Sequence, residues 1–175
     1  MKISIGFLLA SVLLLSGVQS KENDPLVLVK TIPLPDLHEG DFDHFAVDIP
    51  GRRLFLAAEE NSAVEVIDLR TYQLIHTISD VKAPHSILYR AGGKKLFVVD
   101  GDSGQIKVYD SDSFKPVGFI QLEKESDSIA YDPVAGSLFV VNGGRSTHEP
   151  YSYISLIDLN TSSKITDIKI DSGFV

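Results

Sequence analysis

The chain has 175 residues, 24 acidic against 16 basic side chains for a net charge of −8, and no cysteine. That composition excludes a disulfide framework and a lipid anchored through cysteine, and its acidic balance repels phosphate backbones and anionic membrane surfaces. No local cluster of Lys and Arg offsets the balance, so nucleic acid is not an expected partner.

Residues 1–20 read as a secretory signal peptide. Lys2 supplies the positive start, residues 3–15 form an apolar run broken only by Ser4, Gly6 and Ser11, and Val18-Gln19-Ser20 presents residues a signal peptidase tolerates. The run falls short of the roughly 20 residues a membrane span needs. Cleavage near Ser20 is expected, removing Lys2 and no acid and taking the net charge to −9. No stable membrane insertion is expected afterwards. An exported chain without cysteine fits a periplasmic or secreted bacterial protein.

The mature region, 21–175, opens on a strand-like segment at 25–34, whose Lys30-Thr31-Ile32 echoes His76-Thr77-Ile78. A polar stretch with Asp36, His38, Glu39, Asp41, Asp43 and His44 follows. Then a repeat begins. Leu54-Phe55, Leu96-Phe97 and Leu138-Phe139 recur 42 residues apart, as do Asp68 and Asp110, and Ile78 and Ile120. In the third copy, Ile154-Ser155-Leu156-Ile157-Asp158 comes 48 after its counterpart, so six extra residues lie between Asn142 and Ile154. The units cover about 43–80, 85–122 and 127–170. Each holds four short β stretches; in the second they are 86–89, 96–99, 105–109 and 117–121. Near-continuous apolar runs such as Leu96-Phe97-Val98-Val99 suit strands covered on both faces. Four strands in about 40 residues match a propeller blade. A sandwich has no reason to keep the period, and solenoid coils are generally shorter. The expected fold is all-β, a β-propeller with three four-stranded antiparallel blades.

Pro84-His85-Ser86, the Leu-Phe-Val-Val strands running into Asp100 or Asn142, and Val64-Glu65-Val66-Ile67-Asp68 resemble YVTN repeats. Over 26–170 the chain resembles the YncE-like family of exported bacterial propellers. The resemblance implies a ring of about seven blades and no single function, because such repeats serve varied roles. With strands lettered A to D, the order here is D, then ABCD three times. The leading strand would complete a last blade whose other strands do not follow. Rings take about four to eight blades, and a three-blade arc leaves apolar faces bare. A chain continuing past Val175 is therefore expected. Without such a continuation, arcs are expected to assemble, most simply as a dimer.

The D–A and B–C loops share one mouth of a propeller, and both length irregularities fall there, which makes that mouth the expected functional face. Asp43, His85 and Asp127 occupy one repeat position at the entry to strand A, with His44, Ser86 and Ser128 after them. Carboxylate and imidazole converging from successive blades could bind a divalent cation or hold an acid–base pair. Polar residues at strand starts also cap turns and face channel water, so both roles are open here. Asp100 and Asn142 end the B strands at this mouth, as ligand contacts or turn formers. Arg145 and His148 lie in the inserted loop, suited to an anionic or polar ligand or simply exposed. Asp68, Asp110 and Asp158 close the C strands at the other mouth and read as Asx turns. No catalytic or cofactor fingerprint is present, so a divalent cation is the only cofactor considered. The expected function is a binding module of the cell envelope, for a small molecule or an envelope protein, leaning away from an enzyme. A lactonase-like metal-dependent hydrolase with a central-channel site is the alternative, on fold-level analogy.

Overall fold

A computed structural model describes residues 26–38, 40–144 and 147–171. The chain divides into two units, Met1–Thr31 and Ile32–Val175. The signal-peptide reading lies outside the described residues. In the first unit, residues 26–31 take no helix or strand, and Leu26, Val27, Leu28 and Val29 are exposed. Among the described residues, no helix is long and apolar enough to cross a membrane.

The second unit is built from three four-stranded antiparallel sheets in sequence order. The first holds β1 (Phe45–Asp48), β2 (Arg53–Ala58), β3 (Ala63–Asp68) and β4 (Gln73–Ile78). The second holds β5 (Pro84–Arg90), β6 (Lys95–Asp100), β7 (Gln105–Asp110) and β8 (Pro116–Gln121). The third holds β9 (Ile129–Asp132), β10 (Ser137–Asn142), β11 (Tyr151–Asp158) and β12 (Ser163–Asp171). The strand expected at 25–34 does not form over 26–34. A strand needs a hydrogen-bonded neighbour, and each of the three sheets already has its own fourth strand, β4, β8 or β12.

The repeat extends to backbone detail. The pairing of third with fourth strand shifts register at Val66/Ile67, Val108/Tyr109 and Leu156/Ile157, the same place in each unit. Such a bulge adds local twist. Left-handed backbone recurs at Arg52 and Lys94, with Gly136 in the third unit, and again at Tyr72, Phe114 and Ser162. Asp68, Asp110 and Asp158 accept backbone N–H bonds from the two or three residues after them, the side-chain-mimicked turn that short acids form. The insertion departs from expectation in one respect. Part of it lengthens β11, which starts at Tyr151 rather than Ile154, and β12 runs to nine residues alongside it.

Adjacent residues of a strand point to opposite faces, and the Leu-Phe pairs use this to join the sheets. Phe55 packs with Leu96 in one core between the first and second sheets, and Phe97 packs with Leu138 in another between the second and third. The fourth strands sit at the rim, exposed except near their ends at Ile78 and Ile120. At the turn end, Arg53 pairs with buried Asp48 at 2.7 Å and donates to the Ser111 carbonyl of the next sheet at 2.5 Å. Its guanidinium also lies 5.5 Å from the Phe55 ring and 5.9 Å from that of Tyr89.

Truncating Phe97, which is 1% exposed, leaves a cavity between two sheets. Phe97→Ala is expected to cost about 3–5 kcal/mol of unfolding free energy. Phe119→Ala, on the rim, is expected to change it by about 0.5 kcal/mol or less. Urea titration of both variants checks the contrast.

Candidate functional site

The first strand of each sheet begins beside the central axis, and the polar residues at these entries converge. Asp43 and Asp127 precede β1 and β9 and donate N–H to Ala57 and Val141 at 3.0 Å, equivalent partners in their repeats. His85 stands second in β5, where pairing with β6 skips from Pro84 to Ile87. The His44 N–H donates to the His85 carbonyl at 3.4 Å, tying the first two sheets at the axis.

Asp43 is common to both halves of the cluster, and His85 is the imidazole of the half-buried one. His85 Nδ1 lies 2.7 Å from Asp43 Oδ2 and 3.6 Å from Glu59 Oε2. The other Asp43 oxygen contacts His44 Nδ1. Asp43, His44 and Asp127 form one group whose donor atoms lie within 4.8 Å of one another, and Asp43, Glu59 and His85 form a second. Asp43, Glu59 and His85 are half-buried, while His44 and Asp127 are exposed. A proton on Nδ1 satisfies Asp43 directly, and a cation at the same point would meet an imidazole nitrogen and two carboxylates.

Gly101 holds the ring from the other side. A Cβ there would lie 2.7 Å from both Cδ2 and Nε2 of His85 and 2.9 Å from the Ser126 carbonyl. The glycine therefore lets the turn after β6 close onto the imidazole.

Glu59 is the functional candidate that sequence reasoning missed. It opens a three-residue 3-10 turn after β2, at the repeat position of Gly101 and Gly143. A carboxylate where the other units keep glycine was the available signal.

Neither a protein-family model nor a curated protein matches the sequence. Solved structures do match. Hydrazine synthase from Kuenenia stuttgartiensis aligns at 20% identity and TM-score 0.66 over 73% of this chain and 36% of its own. A protein of unknown function from Bacteroides caccae aligns at 15% identity and TM-score 0.58 over 74% of this chain and 50% of its own. The fold is propeller-like. This chain spans half or less of the length of both structures, and the likeness concerns the fold alone.

Asp100 and Asn142 do not join the cluster. Asp100 is fully buried and accepts N–H bonds from Lys82 at 3.0 Å and Ala83 at 3.1 Å, with Lys107 Nζ at 3.3 Å. Asn142 accepts the Glu123 N–H at 3.1 Å and donates to Ser155 Oγ at 2.9 Å. Both fasten the connection between sheets, which leaves their polar atoms committed inside the protein. Arg145 lies outside the described residues. His148 is exposed, in left-handed backbone on the inserted loop.

Two outcomes test this arrangement. Gly101→Ala is expected to push His85 off Asp43 and cost about 1–3 kcal/mol, because the carbonyl behind it cannot yield. The imidazole nitrogen shifts in an NMR spectrum and a urea midpoint read the two effects. For Asp100, burial opposes ionisation, but the N–H groups of Ala83 and Lys82 and the contacts of Ser103 outweigh it and hold the carboxyl below its ordinary value. A depressed value means that the stabilisation is full above the unfolded value of about 3.9 and is lost as pH falls through the lower, folded one. Wild type is therefore expected to exceed Asp100→Asn in stability at pH 7, with the gap closing below about pH 4.

Proposed function

We propose that this chain is part of an exported propeller acting as a binding module of the cell envelope, periplasmic or secreted after signal cleavage, that recognises a small molecule or an envelope protein at the mouth bearing His85. The observation that carries the reading is the His85 imidazole set between the Asp43 and Glu59 carboxylates at the axis, with Asp127 entering from the third sheet. Polar groups held on and at the ends of packed strands are suited to orienting a ligand, and the loops around them differ in length from unit to unit. The opposite mouth repeats the same Asx turn three times, which serves the fold. A resemblance to YVTN-repeat, YncE-like propellers and a ring of about seven blades belong to the same reading.

The two donor groups also support a second reading, a metal-dependent hydrolase. Nδ1 of His85 with carboxylates of Asp43 and Glu59 suits Zn²⁺ or Mn²⁺, whereas Ca²⁺ takes six to eight oxygens. A metal there would activate water for attack on an ester or lactone.

One set of variants separates these readings. Asp43→Asn and His85→Ala are expected to weaken a ligand recovered from envelope extracts by about tenfold or more, the loss of a charge-assisted hydrogen bond. Asp110→Asn, at the far mouth, should leave that affinity unchanged. Loss on the Asp110 change alone would refute the proposed face. Metal analysis of the purified protein tests the second reading. Stoichiometric Zn²⁺ or Mn²⁺ that disappears in His85→Ala supports it, and metal-free protein whose melting temperature ignores added Zn²⁺ or Mn²⁺ as well as a chelator sinks it.

A further inference from the structure

Away from His85, the inserted loop of the third sheet borders an open polar cavity of about 260 Å³, lined by Glu123, Thr147, Glu149, Tyr151 and Tyr153. Tyr151 and Tyr153 are two residues apart on β11 and so share a face, and Lys169 is the partner of Tyr153 on β12. The two rings stand 5.4 Å apart at 68°, two walls of a corner. Glu123 comes from the connection between β8 and β9. Its N–H donates to Asn142, and its carbonyl accepts the Ser126 hydroxyl at 2.7 Å. Thr147 and Glu149 come from the inserted loop. The Gly144 carbonyl there accepts the Thr147 N–H at 3.1 Å, the Thr147 hydroxyl at 2.8 Å and the Glu149 N–H at 3.4 Å. Gly144 has φ +108°, and a Cβ on it would lie 2.9 Å from Ser152 Oγ, so the loop closes on β11 only with glycine there.

The lining selects for charge. Two carboxylates exclude an anion, and the negative face of an aromatic ring attracts a cation. The protein already shows this preference, since Lys169 Nζ sits 3.6 Å from the Tyr151 ring centroid. Hydrogen bonding to Tyr153, with burial and Glu149 adding to it, pushes the Tyr151 phenol up to about 12, so the ring carries no charge of its own at neutral pH.

We propose that the Tyr151–Tyr153 corner binds an alkylammonium cation, with Glu123 and Glu149 taking the positive charge, in competition with the chain's own Lys169. A primary ammonium donates N–H bonds to the carboxylates while its alkyl chain lies along the rings. A neutral polyol has the hydrogen bonds without the charge.

Titration of the purified protein with 1,5-diaminopentane and, separately, with 1,5-pentanediol distinguishes these, read on the tyrosine ring resonances. The diamine is expected to give saturable shifts at Tyr151 and Tyr153, and the diol none. Glu149→Gln and Tyr153→Leu should each weaken the diamine about fivefold, and Lys169→Met, at an exposed position on β12, should strengthen it about twofold or more. His85→Ala should leave diamine binding unchanged, which separates this site from the axial one. Equal response to the diol, wild-type affinity in Glu149→Gln and Tyr153→Leu, no gain in Lys169→Met, or loss in His85→Ala would each overturn the proposal.

Discussion

Leu96 and Phe97 are neighbours in one strand, yet they belong to different hydrophobic cores. The alternation of a β-strand sends leucine toward the preceding sheet and phenylalanine toward the following one. Repeated every 42 residues, this dipeptide joins Phe55 to Leu96 and Phe97 to Leu138. Each sheet is thus apolar on both faces, and its inner strands read as continuous runs rather than alternating ones. The same rule turns Leu54 of β2 and Phe139 of β10 to the outer faces of the arc, where neither belongs to a core cluster and both stay half-buried.

Face-to-face packing also fixes where polar groups can go. With both faces of the middle sheet and the inner face of each flanking sheet committed to packing, the strand ends are left to hold hydrogen-bonding chemistry. Asp100 and Asn142 show how some of it is spent inward. Each ends a second strand and binds the N–H groups of the connection from the preceding sheet. A buried polar group needs such partners, and a carboxylate that accepts several of them gains enough to remain ionised despite burial. At the entries to the first strands the polar side chains turn to one another instead, Asp43 to His85 and Glu59 in one group and to His44 and Asp127 in another.

Much of this was legible in the sequence because the repeat is carried by residues whose chemistry is specific to position. The Leu-Phe pairs mark the second strands, and Asp68, Asp110 and Asp158 mark the turns that close the third. The alignment of Asp43, His85 and Asp127 followed from period alone. Other features left no such mark. The shared bulge at Val66, Val108 and Leu156 depends on backbone register and not on residue type. Glu59 departs from a glycine position, so a search for what recurs passes over it. Tyr151 lies in the stretch that breaks the period, and only pairing with β12 showed it to be strand. The segment 25–34 has strand composition, but composition supplies no partner.

The two ends of the sheets differ in a way that bears on selectivity. At the turn end, acids are consumed in pairs and caps. Asp48 is bound by Arg53 and the Gly51 N–H, and burial that would oppose its charge is outweighed by those contacts, leaving its carboxyl lowered. At the other end, Asp43, Glu59 and Asp127 gather near the axis, and Glu123 and Glu149 line the cavity of the third sheet. Asp43 leads into β1, Asp127 and Glu123 lie between β8 and β9, and Glu59 and Glu149 lie between second and third strands, so one mouth carries both groups. Carboxylates brought together on low-dielectric walls reinforce one another's field, which draws cations and turns anions away. The cost of that repulsion falls on the fold, and the inter-sheet cores of Phe55, Phe97 and their leucine partners are what offset it. An acidic mouth is sustainable here because the strands beneath it are fixed by packing between the sheets.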